Sequence, residues 1–161
     1  MKTRLFASAS LALGGFILIG LGLYFIFLRP PLLPEDLRYV GASLAQIQNT
    51  LPAVQIWLAR VFGVLGGYMI ATGLLTVYIS ATSFRTGKPG VLAVICVSGL
   101  ASIGWMIITN FMIGSDFRWL LLAFSLPWIV ALLFSWTSER SPLLTSAVFP
   151  GHSSLQMGLL F

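Results

Sequence analysis

Charged side chains divide the chain into four long uncharged runs. No Asp, Glu, Lys, Arg or His occurs in residues 5–28, 61–84, 91–115 or 119–138. Each run reaches the about 20 predominantly apolar residues that an α-helix needs to cross the hydrocarbon core of a bilayer. The pattern predicts an all-α polytopic membrane protein, a four-transmembrane-helix bundle with spans at about 5–28, 56–80, 91–113 and 117–136. The first run follows Lys2 and Arg4 as a signal peptide would, but it outlasts the about 7–15 apolar residues of a cleavable signal. It is therefore expected to be a retained first span, stopped by Arg29, Pro30 and Pro31.

A different rhythm governs the connection that follows. Leu37, Val40, Leu44, Ile47 and Leu51 recur at spacings of 3, 4, 3 and 4 among polar residues, which predicts one amphipathic helix over 34–51. Pro34 is placed to begin it, Glu35 and Asp36 to meet the positive end of its dipole, and Pro52 to end it. The stripe is expected to cover the chain's own bundle, and Leu37, Val40 and Leu44 are its candidate partner contacts. After the fourth span, residues 137–161 form an apolar tail broken by Pro142, Pro150 and Gly151, with Phe149, Leu155 and Phe161 as a second candidate contact set. Such a tail needs lipid or protein to cover it.

Small and hydroxyl-bearing residues give the spans faces. Ala59, Gly63, Gly67 and Ala71 recur every four residues, an expected helix-packing face that makes the second span the centre of the bundle. One step round lie Tyr68, Thr72 and Thr76, and the third span carries Ser98, Ser102, Trp105 and Thr109 at spacings of 4, 3 and 4. Hydroxyls in a bilayer need partners. These seven residues are expected to act as glue between helices, or as the polar lining of a small-molecule site. Pro127, in the middle of the fourth span, is expected to kink it.

Composition narrows the chemistry. Of 161 residues 58% are hydrophobic and 8% charged, and the mean hydropathy is +0.97. The net charge of +5 comes from single Lys and Arg residues at the ends of apolar runs, where they anchor and orient spans, so nucleic acid is not an expected partner. With the amino terminus in the cytoplasm, five basic residues fall inside and four outside, which favours cytoplasmic termini. Uncharged spans argue against a pump, a proton-coupled transporter or a voltage sensor. One His and one Cys supply no zinc, haem-pair or iron–sulfur ligand set. No nucleophile elbow, phosphate loop or metalloprotease motif is present. No catalytic residue, metal or cofactor is assigned.

The segment RVFGVLGGYMIATG, residues 60–73, resembles the glycine-rich second helix of small four-span proteins of bacterial inner membranes. That resemblance implies a multi-pass location in a bacterial inner membrane and brings no activity with it. The expected function is a non-catalytic accessory or assembly subunit of a larger integral-membrane complex, with the bilayer and other membrane subunits as partners. The alternative is a stand-alone binder or conduit for an uncharged lipid, a quinone or another small apolar molecule.

Overall fold

The computed structural model describes residues 2–148, with side chains through Thr137. Helix α1 spans Lys2–Phe27, and two short helices, α2 (Pro34–Val40) and α3 (Leu44–Thr50), form the connection to α4 (Ala53–Ile79). A π-helical turn, Ser80–Phe84, continues α4 into the hairpin. The third long helix is α5 (Val91–Gly99), a second π-turn (Leu100–Gly104) and α6 (Trp105–Met112). Helix α7 then covers Arg118–Val148. Lys2–Phe27, Ala53–Phe84, Val91–Met112 and Arg118–Thr137 are long and apolar enough to cross a membrane. Among the described residues there is no strand.

Helix α1, not α4, is the centre. It packs against α4 on one side and α7 on the other, while α5 and α6 lean on α7. The α1–α4 contact is built on glycines spaced seven apart. Gly15 and Gly22 on α1 meet Gly73 and Gly66 on antiparallel α4, and a Cβ added at Gly22 would lie 2.6 Å from the Gly66 carbonyl oxygen. One added at Gly73 would lie 2.6 Å from the Gly15 oxygen. Only hydrogen fits between the backbones, an approach in which Cα–H groups meet carbonyl oxygens across a helix pair. Ser8 and Ser80 continue the seven-residue rhythm, the Ser8 hydroxyl donating to the Ser80 carbonyl at 2.5 Å.

This corrects the expected packing face. Ala59, Gly67 and Ala71 are exposed and Gly63 is half-buried, and nothing lies within 4 Å of a Cβ built at Gly63 or Gly67. The reason is geometric. A four-residue spacing overshoots the helical repeat by about 40° per step, so the stripe winds round α4 away from its neighbour. A seven-residue spacing drifts by about 20° per two turns, and Gly66, Gly73 and Ser80 stay on one line.

On its other side α1 receives Trp128. The indole is 3% exposed and fills a notch made by Gly14 of α1 and Gly99 of α5; its Nε1 donates to the Ile95 carbonyl at 3.3 Å. Ala7, Leu11 and Leu18 of α1, Met69 and Phe84 from the second long helix, Ile95 and Ile103 from the third, and Trp128 and Ala131 of α7 form the core. Helix α7 runs unbroken through Pro127 and Pro142 to Val148, so the first part of the expected tail continues the fourth helix.

The connection is two helices rather than one. Gly41, at φ 72°, closes α2 in the left-handed conformation that glycine adopts without strain. Ser43 then starts α3 through a capping box with Gln46. The apolar stripe is thereby split, and Val40, Leu44 and Leu51 are exposed while Leu37 is half-buried.

Gly73→Ala should lower stability in detergent by about 1–3 kcal/mol, because the added methyl must push a backbone aside. Gly67→Ala should be neutral or stabilising by up to about 1 kcal/mol, since alanine is the better helix former where space is open. Thermal unfolding of the two purified variants checks the contrast, and equal melting temperatures would reject the glycine contact.

Candidate functional site

Helices α4 and α6 flank a gap. The second and third long helices touch near the hairpin, where the π-turn after α4 meets α5, and farther along α4 and α6 both line the cavity. The gap is a cavity of about 800 Å³ walled by α1, α4, the Leu100–Gly104 turn, α6 and α7. Along α1 it runs from Leu18 to Arg29, about 16 Å at 1.5 Å per residue. That is about half of the roughly 30 Å apolar thickness of a bilayer. Leu21, Phe25, Leu65, Met69, Ile103, Met106, Leu121 and Phe124 make most of the wall apolar.

Polar groups gather at one end. Arg29, Glu35, Asp36, Asn110 and Ser115 all line the cavity there. Arg29 reaches back from the end of α1, its Nη2 3.1 Å from Asp36 Oδ2, and its guanidinium stacks 3.6 Å from the centre of the Phe62 ring. The same Asp36 oxygen accepts the Leu33 backbone N–H at 2.9 Å, so this carboxylate caps α2 as a first-turn charge should. Glu35, next to it, turns about 100° away and points into the bundle, 5% exposed. The Ser115 hydroxyl donates to Glu35 Oε1 over a long 3.4 Å. Helix α2 thus shows a carboxylate to the interior while Tyr39 and Val40 stand outside at 67% and 62% exposure.

Five of the seven expected lining residues reach the cavity: Tyr68 and Thr72 from α4, Ser102 from the π-turn, and Trp105 and Thr109 from α6. Thr76 is instead buried in the bundle at 4% exposure, and Ser98 lies outside the cavity wall. The hydroxyl protons are already committed. Thr72 donates to the Tyr68 carbonyl and Thr76 to that of Thr72, each at 2.8 Å. Ser102 donates to the Ser98 carbonyl and Thr109 to that of Trp105, at 2.7 and 3.0 Å. These Ser and Thr hydroxyls are satisfied on their own helices by carbonyls four residues back and offer a ligand only acceptor oxygens, which leaves the Tyr68 hydroxyl and the Trp105 indole N–H as the donors of the two stripes. The sequence reading missed Arg29, Glu35 and Ser115 as lining; the adjacent carboxylates of Glu35 and Asp36 are the available signal, since they diverge by about 100° on a helix and face different surroundings.

Of the partner contacts expected on the connection, Val40 and Leu44 are open and Leu37 is partly covered. Phe149, Leu155 and Phe161 lie outside the described residues. Arg38 Nη2 sits 2.7 Å from Asp116 Oδ2, with both side chains about 60% exposed, and so ties α2 to the α6–α7 turn. Among the described residues no three His, Cys, Asp or Glu side chains come together as a metal site. Comparison with protein-family models, curated proteins and solved structures finds no match.

Arg29→Ala should cost about 2 kcal/mol or more, because it strands a partly buried Asp36 and empties the space over Phe62. Arg38→Ala should cost less than about 1 kcal/mol, the range of exposed ion pairs. Melting of both variants in the same detergent measures the difference, and a reversed order would mean that the guanidinium of Arg29 does not hold the polar end together.

Proposed function

We propose that this chain is a non-catalytic, membrane-embedded binding protein whose cleft takes a lipid or other small apolar molecule. The observation that carries this reading is the cavity itself. At about 800 Å³ it falls within the roughly 300–1,000 Å³ of small-molecule sites. It is apolar along its length and polar at one end, and it spans about one leaflet, which is the shape of an amphiphile lying parallel to its neighbours. A lateral gap between α4 and α6 suits entry from the bilayer. We place the chain in a bacterial inner membrane as a four-helix bundle with cytoplasmic termini, on the resemblance of residues 60–73 and the balance of basic residues. The polar end of the cleft then faces away from the cytoplasm.

A second reading, the accessory or assembly subunit, is favoured by the outward face of α4. Gly63 and Gly67 have open space beside them, and with Ala59 and Ala71 they form a smooth flank on the side of α4 turned from the cleft. A helix from another integral-membrane subunit fits such a surface.

Extraction in a mild detergent followed by native mass spectrometry separates the two. A lone particle carrying a small molecule is the expected result. Ser102→Trp, which puts an indole into the wall, should reduce the recovered ligand about tenfold or more. Stoichiometric co-migration with other subunits and an empty cleft would instead favour the subunit reading.

A further inference from the structure

We propose that the polar end of the cleft recognises a cationic nitrogen, so that the ligand is an amphiphile with an ammonium head and an apolar chain. This rests on the cleft being a binding site and names the chemistry that the site selects. The geometry turns on Glu35. Its side chain is at least nine-tenths buried, forms part of the cavity wall, and has the Ser115 hydroxyl at 3.4 Å as its hydrogen-bond donor. The nearby cations are engaged elsewhere: Arg29 with Asp36, Arg38 with Asp116, and Arg118 with the Ser115 carbonyl at 3.2 Å. Among the described residues the two ion pairs therefore leave Glu35 out. A buried carboxylate without a counter-charge is costly, and a cation entering the cavity would remove that cost.

The wall supports the same choice. Its charged lining is Arg29, Glu35 and Asp36, one positive charge against two negative ones, and the positive one is already paired. An anionic head, whether a fatty-acid carboxylate or a lone phosphate, would meet net repulsion. Tyr24, Phe117 and Trp105 also line the cavity, and aromatic faces attract alkylammonium groups. The chain of such a ligand would extend past Met69 and Ile103 toward Leu18, along the apolar length of the cleft.

The test uses the full chain in a neutral detergent and compares, by native mass spectrometry, three probes of equal chain length: an alkyltrimethylammonium, the fatty alcohol and the fatty acid. The ammonium should bind about tenfold or more tightly than the alcohol, the size expected for a desolvated cation that gains an ion-pair partner and aromatic faces, and the acid should bind most weakly. Glu35→Gln should narrow the ammonium-over-alcohol preference about tenfold. A single-chain phosphoethanolamine distinguishes the sources of the head: it outranks the alkylammonium if the site reads a lipid headgroup and trails it if the site reads a lone ammonium cation. Alcohol or acid binding as tightly as ammonium, or a preference unchanged by Glu35→Gln, overturns the proposal while leaving the cleft as a site. Failure of every probe to bind overturns both. Should E35Q not be recovered folded, the ranking on the unaltered chain decides alone.

Discussion

Backbone contact between α1 and α4 is the constraint on which the other placements depend. With only hydrogen between Gly22 and Gly66, and between Gly15 and Gly73, α4 is held tightly along one line of α1. Helix α7 occupies the opposite side of α1, where Trp128 lodges against Gly14. The third long helix packs on α7 and meets the π-turn after α4 near their shared hairpin. A cleft between α4 and α6 follows from this order of attachment. Had α4 used its other small-residue stripe, it would have been rotated and its Tyr68 and Thr72 would no longer line that space.

The distribution of charge matches this frame. Apart from Ser8, which bonds across to the Ser80 carbonyl, the Ser and Thr hydroxyls cited on the long helices bond to carbonyls three or four residues back. The ionisable groups of the cleft collect instead where α1 ends and the short helix α2 folds over the opening. A single cap residue, Asp36, neutralises Arg29 and at the same time fixes the start of α2. Its neighbour Glu35 is carried inward as a consequence. One short helix thereby determines both the closure of the bundle's end and the electrostatic character of the cavity.

How far the sequence foretold this varies with the physics involved. Four helices of membrane-spanning length were legible because uncharged runs report burial in an apolar medium directly. The packing face was not, because Gly66 and Gly67 are adjacent and both belong to a small-residue rhythm; choosing between four- and seven-residue spacing requires knowing the partner helix. The connection was read as one helix because its apolar stripe is continuous, although Gly41 and the Ser43–Gln46 capping box already mark the break. Five lining residues were foreseen as polar stripes, yet the hydroxyls of Thr72, Ser102 and Thr109 turn out to serve their own backbone. Glu35 and Asp36 were both read as first-turn charges and both stand in the first turn of α2, but only tertiary structure shows that Asp36 caps the helix while Glu35 lines the cavity.

The π-turn at Leu100–Gly104 has a topological meaning of its own. There the Trp105 N–H bonds to the Leu100 carbonyl five residues back, so the helix holds one residue more than regular α-geometry would over that turn. The segment before it sets Ile95 and Gly99 against Trp128, and the segment after it lines the cleft with Trp105, Thr109 and Asn110. The extra residue acts as a phase shift between two surfaces of one rod. Removing it would leave a straighter helix, with the part beyond turned by about 100° and its cleft-lining residues directed elsewhere. The length of this short turn, rather than the identity of any side chain in it, sets the register between the folded core and the cavity.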